Sequence, residues 1–188
     1  MRAEALPPRP ECPEPGRWSA PDAWATETDV SAFLGDLVRA LKPDYVIETG
    51  SYVGYTAEQI GLALRDLGRG QLVSIELAET KAQQARARTD GLPVTIVTNR
   101  AAHVEPTQPV DLLFVDSGWD DRMVEVRHFH RWASPRCVIV AHDTAVPTDY
   151  PGVPAFFASL QAVVDDGLVE PWLKLPTPRG LALTRYRA

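Results

Sequence analysis

Five short apolar runs constrain the fold most strongly: YVIET (45–49), QLVSIEL (71–77), PVTIVT (93–98), VDLLFVD (110–116) and CVIVAHD (137–143). Each is short, continuous and rich in β-branched residues, which suits a strand covered on both faces. Between them lie helical patterns, YTAEQIGLALRDL (55–67), AETKAQQARART (78–89) and DRMVEVRHFHRWA (121–133). Strands alternating with helices pair in parallel through right-handed crossovers. The expected fold is therefore α/β, a doubly wound and mostly parallel sheet of seven strands. The last two strands, LVEPWLKL (168–175) and GLALTRYR (180–187), are joined by a Pro/Gly turn, so they form a C-terminal antiparallel hairpin.

Two further helices complete the pattern. In WATETDVSAFLGDLVRALKP (24–43), Thr26 with Asp29 reads as a capping box. Val30, Phe33, Leu34, Leu37, Val38 and Leu41 form one apolar stripe, and Pro43 ends the helix. VPAFFASLQAVVDDG (153–167) is the second. Residues 1–21 hold six of the chain's 17 prolines and read as a loosely ordered arm, leaving 22–188 as a single domain.

Charge and composition exclude several classes. The formal net charge is −6 and the basic residues are scattered, which argues against nucleic acid or an anionic membrane as partner. No apolar run reaches bilayer length, and no apolar segment of the kind found in secretory signals follows Arg2. Cys12 sits in the Pro-rich arm and Cys137 in an apolar strand, so the chain reads as cytoplasmic, with Cys137 buried.

In such sheets ligands bind beyond the carboxyl ends of the strands. Glu48, Glu76, Thr98, Asp116, His142 and Asp143 stand there. Gly50 and Gly54 follow the first strand and open a helix, so the loop can turn tightly and bring its backbone close to a ligand. The pattern is not G-x-G-x-x-G: Tyr52 stands where a dinucleotide fold needs its second glycine. Glu76 can accept hydrogen bonds from ribose hydroxyls, although a solvated carboxylate is common at a strand end. Acids framing a loop without Lys or Arg suit a neutral or cationic nucleoside.

With these residues in place, VIETGSYVGYTAEQIGLAL, LVSIEL, VDLLFVDSGWDDRM and VIVAHDTAVPTDYPGVPAFF resemble, in order, the motifs of class I S-adenosylmethionine-dependent methyltransferases. More narrowly, they are similar to the catechol O-methyltransferase-like group of small-molecule O-methyltransferases. The resemblance spans roughly Thr26 to the C-terminus. It implies that Glu48, Gly50, Ser51, Tyr52 and Gly54 line the methionine part of the donor. It further implies that Glu76 holds the ribose, that Leu77 flanks the adenine and that Trp119 lies near it. Asp116 would stand beside the donor's amino group and a divalent metal such as Mg2+, with His142 and Asp143 completing the metal site. The chain departs from the family pattern twice. A histidine, His142, stands where the fifth strand usually ends in an acid, and Asp120 follows Trp119 where the catechol group carries its catalytic lysine.

His142 therefore has three readings: metal ligand, general base, or a strand-end histidine satisfied by the backbone. Asp120 and Asp121 are substitute bases, or simply acids favoured at a helix N-terminus. His128 and His130, two residues apart on a helix, make a poor metal pair and read with His103 as ordinary. Trp18 and Trp24 either pack the arm onto the domain or close over the site, and such an arm also suits a homodimer. Trp172 and Tyr186 read as core or interface. The resulting expectation is methylation of a small-molecule acceptor, at oxygen in the manner the resemblance implies and with a metal as an optional aid. The rivals are a nicotinamide-dependent oxidoreductase and a non-catalytic S-adenosylmethionine-binding protein.

Overall fold

The computed structural model describes residues 19–21, 24–146 and 148–187. Cys12, Trp18 and nearly all of the Pro-rich arm lie outside them. Seven strands form one sheet: β1 (Tyr45–Thr49), β2 (Gln71–Glu76), β3 (Val94–Thr98), β4 (Val110–Val115), β5 (Ala133–His142), β6 (Leu173–Leu175) and β7 (Leu181–Arg185). Their order is β3-β2-β1-β4-β5-β7-β6. The first five run parallel, and β7 inserts antiparallel between β5 and β6, so the hairpin stands as expected. Among the described residues five α-helices cover the sheet: α1 (Thr28–Leu41), α2 (Tyr55–Leu67), α3 (Glu79–Arg88), α4 (Trp119–Phe129) and α5 (Val153–Asp165). Among the described residues no helix is long and apolar enough to cross a membrane.

Alternation along each strand builds two cores. Ile47, Leu113 and Ile139 point to the face covered by α4 and α5, where Val126, Phe129, Phe156 and Leu160 meet them. Val46, Leu112, Phe114 and Val140 point to the other face, against Leu34 and Val38 of α1 and Ile60 and Leu64 of α2. Each of these strand residues is fully buried. Burying one such side chain is worth about 1.5–3 kcal/mol, so each strand is fixed from both sides. Cys137 is buried, and burial pushes its thiol up to about 12. Trp172 donates to the Leu160 carbonyl and the Tyr186 hydroxyl to the Val126 carbonyl, so both belong to the body of the domain.

The boundaries differ from the sequence reading in four places. Helix α4 starts at Trp119, two residues before the expected start, and ends in a tighter turn at His130–Trp132. Strand β5 starts at Ala133, because Ser134 and Arg136 reach across to Asp111 on β4. Pro171, which has no N–H, falls inside the expected 168–175 strand; only Leu173–Leu175 pairs fully, with an isolated bridge from Val169 to Tyr186. Thr26 does not cap α1. Its hydroxyl donates to Asp116 Oδ2 at 2.8 Å, and a charged acceptor makes that the stronger bond.

The strand order reverses between β1 and β4, which makes their carboxyl ends the crevice of the sheet. Thr49 and Val115 stand side by side in that register, and the Asp116 N–H donates to the Thr49 carbonyl at 2.9 Å.

Candidate functional site

The loop after β1 is shaped by the protein's own backbone. Gly50 has φ +85°, and a Cβ there would lie 2.4 Å from the Asp116 carbonyl oxygen. Gly54, also left-handed, would place a Cβ 2.9 Å from Cα of Ala85 on α3. Both glycines are thus demanded by close packing, one between strand ends and one between helices. Tyr52 takes a left-handed φ of 50° without being glycine. Its N–H donates to Glu76 Oε2 at 2.8 Å, which ties the loop to the end of β2.

Beneath the loop, Ser74 donates to Glu48 and bonds Ser51. Glu48 is buried, and burial pushes its carboxyl up to about 8 despite the Ser74 bond. Glu125 of α4 is likewise buried and its pKa is raised chiefly by that burial, while Thr49 and Ser117 both donate to it.

Two cavities meet above this floor. The first, of about 390 Å³, is walled by Trp24, Tyr55, Trp119 and Tyr150, with Asp143 and Arg179 at its inner end. The second, of about 330 Å³, is bounded by Glu76, Leu77, Asn99, Ala101 and Glu125. They share Trp24, Gly50, Tyr52, Asp116, Ser117 and Gly118. Trp24 is 67% exposed, so its ring stands over the cavities instead of packing into the core. Trp119 meets Tyr150 edge-on at 5.1 Å and lines the first cavity only. It therefore shares no cavity with Glu76 and Leu77. Of the expected donor-side residues, Gly50, Ser51, Tyr52, Glu76, Leu77, Asp116 and Trp119 line a cavity, whereas Glu48 and Gly54 support the loop from below.

The inner wall of the first cavity is a network of ion pairs. Asp116 follows β4, and His142 with Asp143 ends β5. Each of the three brings a potential ligand atom within 4.8 Å of the others, so the residues proposed for a metal do come together. Their atoms are already engaged. Asp116 Oδ1 accepts from His142 Nδ1 at 3.0 Å and from Arg122 at 3.2 Å, while its Oδ2 accepts from Thr26. Arg122 donates to Asp143 Oδ2 at 3.0 Å, and Arg179 Nε stands 2.7 Å from Asp143 Oδ1. His142 Nε2 bonds Glu27 Oε2 at 2.7 Å.

His142 is fully buried and lines neither cavity. Burial alone would lower its pKa, but the carboxylates of Asp116, Asp143 and Glu27 outweigh burial and hold it well above the ordinary value. Burial likewise pushes Asp116 up, and His142, Arg122 and Thr26 together bring it below the usual carboxylate range. With both nitrogens engaged by carboxylates, the imidazole offers no free nitrogen to take a proton from an acceptor. Asp120 is exposed in the first turn of α4 and lines neither cavity. Its side chain points out because the helix turns Arg122 and Met123 inward.

Sequence reasoning missed Glu27, Arg122, Glu125 and Arg179. Arg122 and Glu125 carried a signal: both fall on the stripe of α4 that buries Met123, Val126 and Phe129. A charge on a buried stripe needs a partner. Glu27 falls at the start of the expected 24–43 helix but off its apolar stripe, Arg179 falls in the turn before the last strand, and nothing local marks either.

A protein-family model described as "Methyltransferase domain" matches residues 47–144, just over half of the chain. No curated protein matches it significantly. Among solved structures, the chain is similar to the O-methyltransferase TomG from Streptomyces achromogenes, involved in tomaymycin synthesis and in complex with SAM. The identity is 21% and the TM-score 0.76, over 88% of this chain and 83% of that one. It is similar to the SAH-bound methyltransferase PaMTH1 from Podospora anserina at 19% identity and TM-score 0.77, over 90% and 83%. An O-methyltransferase from Bacillus cereus in complex with SAH gives 17% and 0.76, over 88% and 84%. At these identities the likeness is one of fold.

Proposed function

Because the chain belongs to the methyltransferase-domain family, we propose that it transfers a methyl group from S-adenosylmethionine to an oxygen of a small molecule. The observation that carries this reading is the pair of cavities joined at Gly50 and Asp116. One has a carboxylate at its strand end and suits a nucleoside. The other is walled by aromatic rings and suits an acceptor. TomG in complex with SAM and SAH-bound PaMTH1, which share the fold, support the choice of donor.

In this reading Glu76 accepts the ribose hydroxyls. Its two oxygens each take one backbone N–H, from Tyr52 and Ala78, and each keeps a further lone pair. Leu77 flanks the adenine. Gly50, Ser51, Tyr52 and Asp116 face the methionine portion, and Glu48 and Gly54 hold that loop in shape. The loop has no Lys or Arg to repel a cation. When bound, S-adenosylmethionine supplies a methyl group made electrophilic by its sulfonium. The residues of the chain hold the acceptor oxygen in line with that group and keep water away, which is where such enzymes gain much of their rate. Trp24, Tyr55, Trp119 and Tyr150 hold the acceptor. No proton-transfer role goes to His142 or Asp120, so the acceptor reacts as its oxyanion, its proton lost to solvent before the carbon–oxygen bond forms and the methyl–sulfur bond breaks.

Calorimetric titration with S-adenosylhomocysteine tests the reading. One molecule is expected to bind per chain. Glu76→Ala removes bonds worth about 1.5–3 kcal/mol when one partner is charged, so affinity falls by about 10- to 100-fold. Binding of a nicotinamide dinucleotide in place of the nucleoside would overturn the proposal.

A further inference from the structure

We propose that Arg122 is the resident cation of this site and occupies the place a divalent metal would need. The Arg122 guanidinium is buried, with its side chain 3% exposed. One nitrogen, Nη2, donates to both Asp116 Oδ1 and Asp143 Oδ2. It therefore bridges the two carboxylates, which is the position a metal held by both would take. The other two nitrogens donate to the Ser117 and His142 carbonyls, so the fork is fixed at the ends of β4 and β5.

The remaining candidate ligand atoms are committed as well. Thr26 donates to Asp116 Oδ2, Arg179 faces Asp143 Oδ1, and both nitrogens of His142 lie on carboxylates. A hard cation takes six or more oxygen ligands, some of them water, and needs free carboxylate oxygens to join them. Here each candidate ligand would first have to release a hydrogen bond or ion pair. Two guanidinium groups already pair with Asp116 and Asp143, and a divalent ion added beside them would meet their repulsion in a buried setting. The residues present do not fit a metal. Arg122 acts as a positioning residue: it holds Asp116 and Asp143 at the cavity wall in the arrangement a metal would otherwise impose.

The inference concerns the site of the proposed methyl transfer, but metal binding is measured without donor or acceptor, so the two readings fail separately. The probe is Mn2+, followed by electron paramagnetic resonance and by thermal unfolding in Mn2+ and in EDTA. The wild-type protein is expected to leave Mn2+ free in solution and to unfold at the same temperature in both. Arg122→Met removes the charge, keeps an apolar stem and frees oxygens of Asp116 and Asp143. It is expected to bind Mn2+ and to gain about 2–4 °C in the presence of the metal, because a ligand that binds only the folded state stabilises it. Arg122→Lys, which restores a cation, is expected to lose that gain. Stoichiometric Mn2+ on the wild-type chain, or a folded Arg122→Met protein that ignores Mn2+, overturns the proposal. If Arg122→Met does not fold, the wild-type titration alone decides.

Discussion

The two halves of the crevice are built on different plans. The β1–β2 side is local: Glu48, Ser51, Tyr52, Ser74 and Glu76 come from two adjacent strands and the loop between β1 and α2, and its bonds are short links across one strand pair. The β4–β5 side is assembled from distant stretches. Thr26 and Glu27 precede α1, Asp116 ends β4, Arg122 comes from α4, His142 and Asp143 end β5, and Arg179 sits before β7. The local side is held by packing and by hydrogen bonds without ion pairs among these residues, and the assembled side by buried ion pairs. The first is expected to tolerate the loss of a single group better than the second.

Arg179→Ala is the harshest way to break that contrast. Arg179 stands beside Asp143, donates its backbone N–H to Glu27 and its guanidinium to the Ala25 carbonyl. Its loss leaves buried acids with one cation fewer, which costs about 3–5 kcal/mol. Denaturant unfolding of the variant measures it, and a cost below about 1 kcal/mol would mean that the network behaves like a surface one.

Glu48 sharpens the comparison from the local side. Its carboxyl is pushed from an ordinary 4.5 up to about 8, so the folded chain holds a proton that the unfolded chain releases. The stability this supplies is complete below 4.5 and is lost as pH rises through about 8. Between those limits the slope attributable to Glu48 approaches about 1.4 kcal/mol per pH unit. Glu48→Gln keeps the shape and has no proton to lose. The expected result is a flatter profile of denaturation midpoint against pH in the variant, and equal slopes would contradict the assignment. The smallest effect is expected at Asp120, exposed on α4. Asp120→Asn should change stability by less than about 0.5 kcal/mol and leave methyl transfer intact.

The same contrast explains what could be read from the sequence. The strands, most helix ends, the terminal hairpin and the line of strand-end acids follow from local apolar periodicity and strand-end position. So does the turn at Gly50, where the Asp116 carbonyl already excludes a side chain. The assembled side could be read only in part. Asp116, His142 and Asp143 were visible as strand ends, and they do converge. Their partners were not visible, and partners decide chemistry. A histidine at a strand end looks like a base until Glu27, 115 residues away in sequence, is found on its second nitrogen. Arg122 was within reach, as a charge on the buried stripe of α4. Arg179 was not, since a turn residue carries no pattern that points across the fold.

The central claim is a methyl-donor site that needs no metal. Calorimetric titration of the unmodified protein with S-adenosylmethionine, once in Mg2+ and once in EDTA, tests it most directly. The account predicts one bound molecule per chain with the same affinity in both. No binding, or binding that appears only with Mg2+, would contradict it.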